Sequence, residues 1–164
     1  MSIDLQRFCT NLDDPRYFLS KPWKNKDGRI MASNGHVAVL MDPGFESPVQ
    51  LEMLENKPGQ KICEWAQEIP TSGFVPVPQD FAPDPACTHC DRTPDPDDED
   101  QCYWCDGTGF NKKQSVKIGK VPFAKHYLRL IASLPNCQIK TRGPTESACF
   151  KFDGGIGFLM PTRS

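Results

Sequence analysis

Apolar and polar residues alternate along the chain in two separated stretches that share one order. Ile3, Leu5, Phe8, Cys9 and Leu12 recur at helical spacing behind Ser2, which predicts a helix over 2–12 that Asp13-Asp14-Pro15 ends. Arg16 to Ser20 reads as extended, and Asn25-Lys26-Asp27-Gly28 as a turn. Beyond it, Arg29–Ser33 and His36–Met41 flank Asn34-Gly35, a pair that tolerates positive φ and signals a hairpin. Ser115–Gly119 reads as a strand. Pro122 then opens a helix over 123–134, with Ala124, Tyr127, Leu128, Ile131 and Leu134 on its apolar stripe and Lys125, Arg129 and Ser133 on its polar one. Gln138–Thr141, Ser147–Phe152 and Ile156–Met160 read as strands. The order is helix then hairpins, an interruption, then strand, helix and hairpins. It predicts an α+β fold of two helix-plus-antiparallel-sheet modules.

The interruption, 43–114, has another character. Gly59–Glu68 carries one helical stripe of Ile62, Trp65, Ala66 and Ile69, and Phe74–Pro78 suits only an edge strand. Seven of the chain's sixteen prolines fall from Pro70 to Pro96, a stiff connection leading outward. At its far end stand Cys87-Thr88-His89-Cys90 and Cys102-Tyr103-Trp104-Cys105, two C-x2-C knuckles separated by eleven residues. Four thiolates at this spacing close a tetrahedron around one structural Zn²⁺. Zinc would order a loop, 84–110, that has too few apolar residues to order itself. Disulfides are the competing use, but residues 1–30 hold no leader-type apolar run, which predicts a reducing, cytoplasmic setting. A redox dithiol would be a single knuckle beside a βαβ unit. His89 is expected beside the metal without ligating it, and Cys9, Cys63, Cys137 and Cys149 read as ordinary buried thiols.

At 164 residues the chain suits a single domain, with 1–42 and 115–164 as core and 43–114 as insertion. Its longest apolar run is Val37–Met41, so no membrane span is expected. The formal charge of -2 conceals a partition: 84–106 holds eight acids and one arginine, and 111–142 holds eight bases and no acid. An acidic knuckle loop does not suit a phosphate-binding finger; the basic stretch does suit nucleic acid, or a solvated face. Three histidines, no nucleophile motif and no phosphate loop argue against an enzyme or a small-molecule substrate, and zinc closed by four cysteines leaves no position for water.

Arg16-Tyr17-Phe18-Leu19, Asp27–Val39 and Gly155–Arg163 together resemble matching segments of a domain of the bacterial DNA sliding clamp, the processivity ring of replicative polymerase. The likeness implies helices facing DNA and an outer sheet, with Lys125, Arg129 and Arg7 meeting phosphates. It also implies an apolar groove for partner peptides, to which His36, Val37, Leu159, Met160, Pro161 and Arg163 correspond. In the clamp the two groove motifs come from successive domains, so a lone domain is expected to lack a complete groove. A ring needs six such domains; this chain supplies one, and a monomer or dimer is expected. Thr162 stands where the clamp has an apolar residue. The second knuckle, C-x-x-C-x-G-x-G, resembles half of the zinc module of DnaJ-type chaperones, and Gln50–Leu54 loosely resembles the Q-L-x-L-F peptides that bind clamps. Tyr103 and Trp104 would be either partner contacts or core-packing aromatics. The expected function is a non-enzymatic, clamp-like binding protein acting on DNA or on replication and other nucleic-acid machinery, of phage or mobile-element type. The alternative is an inhibitor or adaptor whose acidic zinc loop engages a basic partner.

Overall fold

The computed structural model describes residues 3–10, 15–16, 19–88 and 114–162. A 3₁₀-helix, Leu5–Phe8, precedes β1 (Trp23–Lys24), β2 (Ile30–Ser33) and β3 (Val37–Met41). Helix α1 (Lys57–Gln67) and β4 (Val75–Pro76) come from the insertion. Strands β5 (Ser115–Ile118) and β6 (Val121–Ala124), helix α2 (Lys125–Ala132), and β7 (Gln138–Lys140), β8 (Ala148–Phe152) and β9 (Gly155–Leu159) follow. Seven strands form one antiparallel sheet in the order β1-β2-β3-β9-β8-β7-β4, and β5-β6 form a separate hairpin.

The sheet has an internal two-fold arrangement. Its middle is the β3–β9 pair, centred on Val39 opposite Gly157, with β2 and β1 stepping outward on one side and β8 and β7 on the other. The 3₁₀-helix precedes the first three strands as α2 precedes the last three.

Both faces of the sheet are covered, so the central strands carry apolar residues in both phases of the alternation. Val37, Val39 and Met41 of β3 face a core with Leu5, Phe8, Phe150, Phe152, Leu128 and Ile131, under the 3₁₀-helix and α2. Ala38 and Leu40 face the opposite core with Trp23, Met31, Cys149, Phe158 and Ile62 of α1. Every residue of β3 is buried, and each large aliphatic side chain so placed contributes roughly 1.5–3 kcal/mol. Gly157 is forced by this packing: a Cβ there would overlap the Phe150 ring and stand 2.5 Å from the Ala38 carbonyl oxygen.

Several expectations need correction. The helix over 2–12 is, among the described residues, a four-residue 3₁₀ turn capped by the Asp4 carboxylate at the Gln6 amide, 3.1 Å. Of the stretch expected to be extended, Arg16–Ser20, the described Arg16, Leu19 and Ser20 lie in no strand, and the Leu19 amide donates to the Arg16 carbonyl at 2.8 Å. Pro122 and Phe123 open no helix; they lie in β6, where Pro122 faces Lys117 across the edge of the hairpin, and α2 begins at Lys125. Strand β1 was not expected: two residues give too short a pattern, and Trp23 is fixed there by burial under α1. The helix at 59–68 and the edge strand at 74–78 fall at Lys57–Gln67 and Val75–Pro76. Asn56 caps α1 by accepting from the Gly59 amide at 2.8 Å. Among the described residues, no helix is long and apolar enough to cross a membrane.

Candidate functional site

Three chain segments meet at one end of the β3–β9 pair. The first is the β2–β3 turn. Asn34 organises it, its side-chain oxygen accepting from the His36 amide at 2.8 Å and the Val37 amide at 3.0 Å. Gly35 takes φ 91°, the left-handed region a hairpin turn needs. The second segment is the start of α2, where Tyr127 receives a hydrogen bond from Asn34 Nδ2 at 3.2 Å on its hydroxyl. The third follows β9: the Met160 amide donates to the His36 carbonyl at 2.9 Å. Thr162 then donates both its amide, 2.9 Å, and its hydroxyl, 3.2 Å, to the Pro122 carbonyl. An apolar residue here would keep the first bond to β6 and lose the second.

Between these segments lies a groove of about 680 Å³ lined by Gly35, His36, Ala124, His126, Tyr127, Met160, Pro161 and Thr162. The Tyr127 ring is its middle wall, stacked with His36 at 5.8 Å between centroids and tilted against His126 at 4.0 Å. Burial raises the Tyr127 hydroxyl above its usual pKa, with the Asn34 bond opposing. No Asp or Glu is among the lining residues. The Arg16 guanidinium stands 2.5 Å from where a Gly35 Cβ would be and reaches the Asn34 carbonyl at 3.5 Å. Of the residues expected to form a groove, His36, Met160 and Pro161 line it. Val37 and Leu159 do not: they pair with one another across β3 and β9 and are buried in the core. Arg163 lies outside the described residues. The two segments, 34–37 and 159–162, thus meet within one chain. Tyr127 and His126 were missed as groove residues because helical periodicity placed Tyr127 on the core stripe.

The neighbouring face of α2 holds a second arrangement. Lys125 and Arg129, one helical turn apart, converge on one carboxylate: Lys125 Nζ lies 2.9 Å from Asp84 Oδ1 and Arg129 Nη1 2.8 Å from Asp84 Oδ2. Lys125 also donates to the Ala82 carbonyl, and it is only 5% exposed. The Arg129 guanidinium extends over the Phe81 ring, 5.8 Å from its centroid. Hydrogen bonds from Lys125 and then Arg129 hold the Asp84 carboxyl below its ordinary pKa. Lys125 is therefore not a surface contact; its charge fastens residues 82–84 to α2. Arg7, the third expected phosphate contact, is exposed and reaches Ser133 Oγ at 3.5 Å.

Residues 82–84 lead directly to the knuckles. Cys87 is buried. Cys90, Cys102, Cys105, His89, Tyr103 and Trp104 lie outside the described residues. Among the described residues no group of three or more His, Cys, Asp or Glu could hold a metal. Four thiols in two C-x2-C pairs remain a donor set suited to Zn²⁺, and Cys87, Cys90, Cys102 and Cys105 would hold it. Of the remaining thiols, Cys137 and Cys149 are buried as expected, while Cys9 and Cys63 are only half-buried. Comparison with family models, with curated proteins and with solved structures finds no match to this chain.

Proposed function

We propose that this chain is a non-enzymatic, clamp-like binding protein that serves nucleic-acid machinery by docking a short peptide of a partner protein in the groove beside Tyr127. The observation that carries this reading is the meeting of the two resembling segments: the His36 carbonyl accepts the Met160 amide at 2.9 Å, and both residues line one groove with Pro161. The two-fold strand order about Val39 and Gly157 supports a clamp-like duplication. Apolar walls with a few fixed polar groups are what a peptide anchor requires. A protein partner is favoured over DNA because two of the three expected phosphate contacts, Lys125 and Arg129, already neutralise Asp84. A single zinc on the four knuckle cysteines belongs to this reading as a structural staple that supplies folding free energy to the insertion.

Fluorescence anisotropy with a labelled peptide of the Q-L-x-L-F type, run beside labelled duplex DNA, tests the proposal. The expected result is saturable peptide binding that Met160→Glu abolishes, with weak DNA binding that salt removes. Tight DNA binding without peptide binding, lost on Arg129→Glu and Arg7→Glu, would overturn it.

A further inference from the structure

The stretch from Val75 to Cys87 lies along α2 as a strap that ends at the knuckles. It starts in the sheet, where Val75 pairs with Ile139 and the Val77 amide donates to the Cys137 carbonyl at 3.2 Å. From there it runs antiparallel to the helix and is fastened at successive residues. Gln79 Nε2 donates to the Ala132 carbonyl at 3.4 Å, and Phe81 packs on the first core with the Arg129 guanidinium over its ring. The Ala82 carbonyl accepts from Lys125 Nζ and, at 3.4 Å, from Arg129 Nη2. The Asp84 carboxylate closes the series on both cations, at 2.9 Å and 2.8 Å. Cys87 follows, only 3% exposed. Lys125 also holds the returning chain: its amide donates to the Gln114 carbonyl at 2.9 Å, next to the Ser115–Ala124 pair of the β5–β6 hairpin. One residue therefore fastens both described ends of the stretch that carries Cys90, Cys102 and Cys105, the outgoing end by its ammonium and the returning end by its amide.

We propose that Lys125, Asp84 and Arg129 are positioning residues for the knuckle zinc: their clasp on residues 82–84 presets Cys87 as its first ligand and thereby raises the chain's affinity for the metal. The inference rests on the reading of Cys87, Cys90, Cys102 and Cys105 as one zinc site and adds the residues that prepare it. Gathering four ligands from a long stretch around one ion carries the entropy of closing that loop, and the cost falls when its two ends are already held. Groups that orient a ligand without touching the metal typically account for roughly 10–100-fold in affinity. Charge alone acts the other way at Asp84. Zn²⁺ held by four thiolates is a net anion formed from neutral thiols with release of protons, so a carboxylate nearby disfavours it. Position and charge thus predict opposite signs for the loss of Asp84.

Competition for zinc between the full-length protein and a chromophoric chelator provides the test, with zinc alone as the probe. Wild-type protein is expected to hold a single zinc, and Asp84→Ala to hold it about tenfold more weakly. The double variant Asp84→Ala/Lys125→Met strands no buried charge, so it keeps the fold while the outgoing end stays unfastened, and its zinc affinity should remain low. Tyr127→Phe, which loosens the same helix without touching the strap, should bind zinc as wild type does. Affinity in Asp84→Ala equal to wild type or tighter overturns the proposal and leaves the zinc reading standing. Recovery of wild-type affinity in the double variant overturns it equally, and so does an equal weakening in Tyr127→Phe, the signature of general loosening. Wild-type protein that binds no zinc overturns both this inference and the zinc site beneath it.

Discussion

The groove and the cation cluster share one helix and differ in where their chemistry is spent. Lys125 and Arg129 form ion pairs within the molecule, on residues 82–84 at the approach to the cysteine knuckles. His36, His126, Tyr127, Met160 and Pro161 form walls around a space that no described residue fills. A basic helix face is therefore no index of an anion site until the acids that reach it from elsewhere in the chain are known. Here the acid comes from the segment whose negative charge balances the basic stretch, so the charge partition in the sequence is partly closed in space.

The largest effect that tests this contrast is expected from Asp84→Ala. It leaves the buried Lys125 ammonium with the Ala82 carbonyl and no counter-charge among the described residues, at a cost of about 2 kcal/mol, below the roughly 3–5 kcal/mol of fully buried pairs because the Asp84 side chain is 27% exposed. Thermal melting should fall by roughly 4–8 °C while peptide affinity is unchanged. Asp84→Ala combined with Lys125→Met should recover at least half of that loss, since no buried charge is then stranded. Additive losses would show that the pair acts only through packing.

Tyr127→Ala should weaken peptide binding about tenfold, or ~1.4 kcal/mol, in addition to the stability it loses with its core-packed ring. Tyr127→Phe removes only the hydrogen bond from Asn34 and should cost about 1 kcal/mol of stability with the groove wall intact. If both variants bind peptide as wild type does, the groove is not the site.

A smaller effect comes with pH. The Asp84 carboxyl is depressed below its ordinary value, so its contribution is fully present above about pH 4 and is lost as pH falls through the folded-state value. Wild-type stability should decline over that acid interval more than that of Asp84→Asn, as read by urea unfolding at stepped pH. Parallel curves would remove the ion pair from the account. The smallest signal separates local loosening from opening of the core. Burial pushes the thiols of Cys9 and Cys137 up to about 12, so at about pH 8 neither should alkylate in wild type or in Tyr127→Ala.

What could be read from the sequence was whatever depended on neighbours along the chain. Asn34-Gly35 marked its hairpin because positive φ is a local demand, and β2, β3, β8 and β9 showed themselves by short runs rich in apolar residues, interrupted by Lys151 in β8. Helix α1 was visible from one stripe, but its start at Lys57 behind the Asn56 cap was not. Illegible features depended on distant partners. The hairpin of β5 and β6 absorbed Pro122 and Phe123, which local signals gave to the helix, because strand pairing with Lys117 and Val116 outweighs a helix-start proline. Lys125 looked like a surface base because nothing in its own helix shows that Asp84, from the insertion, covers it. Three of the six residues expected in the groove, His36, Met160 and Pro161, line it, yet Val37 and Leu159 went to the core, since adjacent residues on a strand face opposite sides. Tyr127 escaped notice because its ring is half core and half wall.

The placement of β9 has a consequence for how the chain acquires its structure. The middle of the sheet joins residues 37–41 to 155–159, so its central ladder has to wait until the last strand has been synthesised. Until then β3 presents one unsatisfied edge of Val37, Val39 and Leu40, an adhesive surface for any other strand. A chain stopped before residue 155 should aggregate from the ribosome onward, and refolding of the full chain should be slow in proportion to these remote contacts.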